Sequence, residues 1–308
     1  MAFFVLIRYA IKEFLSEKEY ENLSTNTLKA YQMLFDDFLR WTEEQGFSRV
    51  QDLNTRAIKN YLSLCKTEKG NNPTSLNTKR RQFRAFFNFL VQEDIVKDNP
   101  TDPIKKVKED IRIKTFTDEE VKEILSHLRR IKRREDTLFS IRNYTIFLTL
   151  IGTGLRASEC TGLKWSSVDL INRSIKVFGK NRIEQTVPIS ETLVKELSYW
   201  KEYCLRQFGE LSPWVFVTQQ NKQFTVNGLK CWFKRLAQLM DFPETRCSAH
   251  SCRHYFAKKW IQSGGDISTL SKVLRHTSIK TTEKYLQFWG NEVADDYDKF
   301  NPLRELSL

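Results

Sequence analysis

The chain has 308 residues, enough for two domains at ~100–200 residues each. Its 40% hydrophobic content, with 22 Phe and 7 Trp, excludes wholesale disorder. Lysine and arginine number 50 against 38 acidic residues, and the resulting net charge of +12 favours a polyanionic partner, either nucleic acid or an anionic membrane surface. No segment offers the ~18 uninterrupted apolar residues of a bilayer span. The start, Met1 to Ile7, lacks a basic n-region and closes at Arg8, so no signal peptide is expected and the protein should stay in the cytosol. The six cysteines, Cys65, Cys160, Cys204, Cys231, Cys247 and Cys252, are scattered along the chain and are expected as free thiols in a reducing compartment.

The first hundred residues read as helices. Leu28, Tyr31, Leu34, Phe35, Phe38, Leu39 and Trp41 recur at helical spacing behind the cap candidates Asn22, Ser24 and Asn26, and Gly46 stops the run. A second helix is expected through Ala57, Ile58, Tyr61, Leu62 and Cys65, ending at Gly70-Asn71-Asn72-Pro73. A third carries Leu76, Phe83, Phe86, Phe87, Leu90 and Val91, with Lys79, Arg80, Arg81 and Arg84 on its other face. Those four cations read either as a solvated face or as a face for nucleic-acid phosphates, and their crowding at one helix start favours phosphate. Asn99-Pro100-Thr101-Asp102-Pro103 cannot continue a helix. With Lys105, Lys106 and Lys108 it forms an extended basic linker of about a dozen residues.

Thr117-Asp118-Glu119-Glu120 is a capping box that opens a second domain. An apolar helix is expected near Tyr144 to Leu150. Strands follow at Ser174 to Phe178 and Thr186 to Ile189, flanking a Gly179-Lys180-Asn181-Arg182 hairpin turn, with a further short strand at Trp214 to Val217. From Val226 the pattern is helical again. The fold class is therefore mainly α with a small antiparallel β-sheet, in two domains.

Breaking a phosphodiester needs a nucleophile, cations on the equatorial oxygens and a proton for the leaving alkoxide. A metal could supply the charge, but the sequence has no carboxylate cluster to hold one. It has instead three cationic pieces beside turns. In Thr153-Gly154-Leu155-Arg156-Ala157-Ser158-Glu159, an arginine follows a glycine turn at a helix start, where it can meet two phosphate oxygens, although alone it would read as structural. In His250-Ser251-Cys252-Arg253-His254, His250 and Arg253 share a helix face. The third piece runs from Leu274-Arg275-His276 through Thr281-Thr282-Glu283-Lys284-Tyr285. His254 reads as structural, or as supporting the site from behind. Cys247, His250, Cys252 and His254 crowd within eight residues, a spacing that fits neither a zinc knuckle nor a finger.

In this order the pieces resemble the tyrosine recombinase (phage integrase) family, whose hallmark is Arg…Lys…His-x-x-Arg…His…Tyr. The resemblance spans nearly the whole chain and is most specific where Thr281-Thr282-x-x-Tyr285 follows His276 by nine residues. It implies a helical, SAM-like core-binding domain over residues 1–100, a basic linker over 101–115 and a catalytic domain over 116–308 with a C-terminal assembly tail. It also implies a C-shaped clamp on duplex DNA, and catalytic roles for Arg156, Lys180, His250, Arg253, His276 and Tyr285, with Glu159 in support. Lys79, Arg80, Arg81, Arg84, Lys105 and Lys106 are the expected DNA contacts. No cofactor or metal is expected. The partners the resemblance implies are double-stranded DNA carrying specific recombination sites and a homotetramer on that DNA, with a paralogue or an accessory protein as an alternative. Where the family usually has Gly before the second histidine and His two residues after the tyrosine, this chain has Arg275 and Gln287; Ser251 and Cys252 replace its usual Asp-Leu. A non-catalytic DNA-binding regulator would have no need of the nucleophile, and the length and N-terminal domain resemble a recombinase more than a type IB topoisomerase. Integration, excision and chromosome-dimer resolution all fit, with a lean towards a mobile element. The lack of an arm-binding segment before Leu6 argues against the heterobivalent integrase type.

Overall fold

The computed structural model describes residues 4–109, 114–178, 184–242, 245–276 and 278–289, with 286–289 as backbone only. The chain divides into two compact units, Met1–Ile111 and Arg112–Leu308.

Among its described residues the first unit holds four α-helices: α1 (Ile7–Tyr20), α2 (Thr25–Glu44), α3 (Thr55–Thr67) and α4 (Pro73–Gln92). Ser24, Asn54 and Asn72 cap the last three, each side chain accepting from a backbone N–H three residues on, and Pro73 occupies the first turn of α4. Phe14, Phe35, Phe38, Phe83 and Phe86 meet in a fully buried aromatic core with mostly edge-to-face contacts. Residues 104–109 do not drift away from this unit. Asn77 on α4 accepts from the Val107 N–H and donates to its carbonyl at 2.9 and 2.8 Å, satisfying an extended segment as a neighbouring strand would.

The second unit begins with α5 (Asp118–Glu135), whose Thr117 and Glu120 form the expected capping box in both directions. The apolar α6 (Leu138–Thr153) is buried along most of its length, packing against α5, α8 (Glu191–Phe208) and α10 (Ala249–Gln262). The short α7 (Ala157–Thr161) follows. The sheet is antiparallel, β1 (Val168–Asp169), β2 (Ser174–Phe178) and β3 (Glu184–Pro188) in that order, with Ile175 opposite Val187 on its buried face. Among the described residues, α9 (Val226–Met240), α10, α11 (Ile267–Val273) and α12 (Lys280–Trp289) follow.

One expected strand is absent. Trp214 to Val217 forms only isolated bridges to Lys164 and Gln223. Side chains take over its carbonyls: Trp200 Nε1 donates to Val215 O at 2.6 Å and Arg142 Nη1 to Val217 O at 3.0 Å. The run is apolar because it is core, not because it is a strand. All six cysteines are unpaired. Among the described residues no helix is long and apolar enough to cross a membrane, and no three His, Cys, Asp or Glu side chains gather as a metal site.

Candidate active site

Four pieces of chain, drawn from three regions of the sequence, converge in the second unit. The first is the corner between α6 and α7. Gly154 ends α6 at φ 62°, and a Cβ there would lie 2.8 Å from Phe256 Cδ1 and 2.9 Å from Leu274 Cδ2. Only glycine therefore lets α10 and the end of α11 approach this corner. Arg156 follows as the N-cap of α7. Its backbone N–H and its Nη1 both donate to Glu159, at 2.8 and 2.6 Å.

The second piece is α10, capped by Ser248. Arg253 points from it into the protein, Nη1 donating to Gly154 O at 2.7 Å and Nη2 to Leu274 O. The third is the turn after α11. Arg275 adopts φ 55° there, and its carbonyl accepts from Arg156 Nη2 at 3.0 Å. Two consecutive carbonyls, of residues 274 and 275, thus fix the two arginines beside each other. Arg275 itself is buried and holds Glu159 with Nε and Nη2 at 3.3 and 2.7 Å. Burial would raise the Glu159 pKa, but Arg275 and Arg156 outweigh it and hold the carboxyl below its ordinary value. One carboxylate therefore balances two guanidinium groups, while Arg253 has its charge unneutralised by any carboxylate bond described here. Burial, followed by Arg156 and Arg275, lowers the Arg253 pKa to about 10, leaving it cationic at neutral pH.

The fourth piece is α12, which packs on α10 and α11 and delivers Tyr285. The Tyr285 ring is 4% exposed, among Ala257, Leu270 and Leu274. Burial raises its pKa, and Arg253 and Arg156 pull the other way. Its ring centroid lies 6.3 Å from that of His276, whose Nδ1 is 2.7 Å from the buried Thr282 hydroxyl. Burial and then the nearby arginines lower His276 to about 4. His254 Nδ1 lies 2.8 Å from the Tyr285 hydroxyl. His250, exposed at the start of α10, meets the His254 ring edge-on at 4.0 Å.

The fold thus brings Arg156, Glu159, Arg253, His276 and Tyr285 together, with His250 against His254 beside them. Lys180 lies outside the described residues. His254, read from the sequence as structural or as supporting the site from behind, stands at the Tyr285 hydroxyl; Arg275, which the sequence marks only as an odd neighbour of His276, joins the cluster through Glu159. On the first unit, Lys79 is half-buried and Arg81 exposed; Arg84 pairs with Asp102 at 3.0 Å and Lys106 with Glu109 at 3.2 Å. The Arg84–Asp102 pair is exposed on both sides, and such pairs are worth ~0–1 kcal/mol and can open to phosphate. Lys105 is exposed, whereas Arg80 is drawn inward, its Nη1 donating to Ile104 O at 2.9 Å.

Known proteins carry the same organisation. A model of the phage integrase family matches residues 114–289, and a model of the phage integrase N-terminal SAM-like domain matches residues 11–94. Tyrosine recombinase XerC of Listeria welshimeri is 26% identical over 285 residues, covering 91% of this chain and 93% of that protein. Among solved structures, the Tn1549 transposon integrase in complex with a circular intermediate DNA superposes with a TM-score of 0.74 at 20% identity, covering 90% of this chain and 94% of that one. A lambda integrase tetramer bound to a Holliday junction gives 0.72 at 14% identity, covering 92% and 77%. The chain belongs to the phage integrase family. It is a site-specific tyrosine recombinase.

Proposed function

We propose that the chain cuts and rejoins duplex DNA at specific sites through a 3′-phosphotyrosine on Tyr285, in a homotetramer that passes through a Holliday junction. The observation that carries this reading is the convergence of Arg156, Arg253, His276 and Tyr285 from four separate pieces of chain, with both guanidinium groups anchored on the consecutive carbonyls of residues 274 and 275. Two fixed cations suit the equatorial oxygens of a pentacoordinate phosphate. His276 adds a third donor, and Lys180, in the stretch of sequence between β2 and β3, protonates the departing 5′ oxygen. One ester replaces another, so the exchange needs no nucleotide. Lys79, Arg81, Arg84, Lys105 and Lys106 hold the backbone of the duplex. The tail beyond residue 290, which lies outside the described residues, serves assembly, against a neighbouring protomer or its own subunit. Integration or excision of a mobile element fits this protein, as does resolution of chromosome dimers.

A nicked suicide substrate tests the reading. Tyr285→Phe should form no covalent adduct while binding the site with nearly wild-type affinity, and a normal adduct yield would remove Tyr285 as nucleophile. Lys180→Ala should cleave ordinary DNA ~10²–10⁴-fold more slowly. It should cleave a substrate with sulfur at the 5′-bridging position at close to the wild-type rate, because a thiolate leaves without a proton. Equal slowness on both substrates would take the acid role from Lys180.

A further inference from the structure

For Tyr285 to attack phosphorus, its phenolic proton must leave, and the surrounding arginines, already protonated, cannot accept it. His250 is the imidazole that the hallmark pattern offers. The fold puts another one at the hydroxyl. His254 lies one helical turn beyond His250 on α10, and α12 packs across that face, bringing Tyr285 Oη to 2.8 Å from His254 Nδ1. The two rings meet at 74° with centroids 5.4 Å apart, so the imidazole edge, not its face, addresses the oxygen. His276, the other histidine beside Tyr285, has its Nδ1 engaged with the Thr282 hydroxyl. His250 meets the His254 ring edge-on, with centroids 4.0 Å apart.

We propose that His254 is a further catalytic residue of the cleavage step, its Nδ1 taking the Tyr285 proton as Oη bonds to the scissile phosphorus. This rests on the recombinase reading given above. The Oη–H bond breaks and its proton becomes the Nδ1–H of an imidazolium. The Oη–P bond forms, the P–O5′ bond breaks, and the electron pair leaves on O5′, which receives its proton from the separate acid assigned to Lys180. Rejoining runs in reverse: the incoming 5′ hydroxyl loses its proton to that base, and His254 returns its own proton to the departing phenolate.

The surroundings keep His254 ready to accept. Burial, and then the charges of His250, Arg253 and His276, push its pKa down to about 3, so it is neutral at working pH. The charged and titratable groups facing this pair are His250 and Arg253 on α10, Arg156 and Glu159 at the α6–α7 corner, and Arg275 and His276 after α11. All of these except Glu159 are neutral or cationic, so the phosphate that enters brings the negative charge that makes the imidazole more basic at the moment of attack.

The test is the rate of covalent adduct formation by the full chain on a nicked suicide substrate, from pH 6 to 9.5, for the wild type, His254→Ala and His254→Gln, with DNA affinity and melting temperature measured alongside. The wild type should be nearly flat with pH. His254→Ala should be slower by on the order of 10²–10⁴-fold at pH 7. Its rate should then climb about tenfold per pH unit as hydroxide removes the proton instead. His254→Gln, which can still hold the hydroxyl but cannot take its proton, should behave like Ala. A wild-type rate in either variant, or a loss by the same factor at every pH, would overturn the role. If Tyr285→Phe gives no adduct while His254→Ala is unimpaired, only this inference fails; if Tyr285→Phe still forms adducts, the recombinase reading fails with it.

Discussion

At residue 275 an arginine occupies the left-handed backbone region, φ 55°, a conformation that costs a non-glycine residue ~1–2 kcal/mol. The structure holds it there through a buried, two-point ion pair with Glu159, and that same geometry turns the 274 and 275 carbonyls toward Arg253 and Arg156. Arg275 therefore acts by position. Replacing it with glycine would ease the backbone but leave Glu159 with Arg156 as its cationic partner, drawing that guanidinium away from phosphate. Arg275→Gly should slow adduct formation by up to ~10²-fold, the scale on which small misplacements act, with little change in site affinity. Arg275→Lys, which keeps the charge but not the fork, should fall between glycine and wild type. Wild-type cleavage by Arg275→Gly would show that Glu159 does not need its second partner. This role was not legible in the sequence: a lone Arg beside His276 carries no sign of an ion pair to a residue more than a hundred positions earlier. The hydrogen bond of His254 was equally hidden, because it depends on how α12 packs across α10.

Among the elements, what could be read was written locally. The caps Ser24, Asn54, Asn72 and Thr117 mark helix starts because their side chains bond to backbone within three residues. α1 escaped detailed reading: Ile7, Ile11 and Phe14 have helical spacing, but Leu6 at its N-cap makes no side-chain bond and so gives no start signal. Trp214 to Val217 was misread because a buried run looks like a strand until its hydrogen-bond partners, here the Trp200 and Arg142 side chains, are known. The cationic face of α4 was read as a block, and the structure separates its members. Arg81→Ala should weaken DNA binding across sequences alike and lower the salt dependence, log K against log salt, by about one unit of slope. Arg80→Ala should chiefly lower the melting temperature of the first unit, since Arg80 spends a nitrogen on the Ile104 carbonyl. Identical salt slopes and melting temperatures for the two variants would make the face uniform after all.

Across the whole molecule, the gathering of histidines in a cationic site has a consequence for acid stability. Burial lowers the pKa of His254 to about 3 and that of His276 to about 4, from an ordinary value of 6.5. The unfolded chain thus binds more protons than the native one between these values. The stability these neutral rings contribute is present above pH 6.5 and is lost as pH falls towards 4. Glu159, held below its ordinary value of 4.5, adds loss in the same direction at the acid end. Melting temperature should hold steady from pH 8 to 7 and drop between pH 6.5 and 4.5, and His254→Gln should flatten part of that drop. A melting temperature that rises on acidification would contradict the burial of these rings.

The central claim, that Tyr285 becomes esterified to a 3′ phosphate, is tested most directly by mapping the adduct. The full chain is trapped on a suicide substrate in EDTA, digested with trypsin and nuclease, and the modified peptide is fragmented in the mass spectrometer. Cleavage after Lys284 leaves a peptide that begins at Tyr285 and also contains Tyr297, so the fragment ions decide between two phenols. The account predicts a nucleotide joined through its 3′ phosphate to Tyr285, with a free 5′ hydroxyl on the other side of the cut. A nucleotide on Tyr297 or on a serine, a linkage through a 5′ phosphate, or an adduct that forms only when a divalent metal is restored would contradict it.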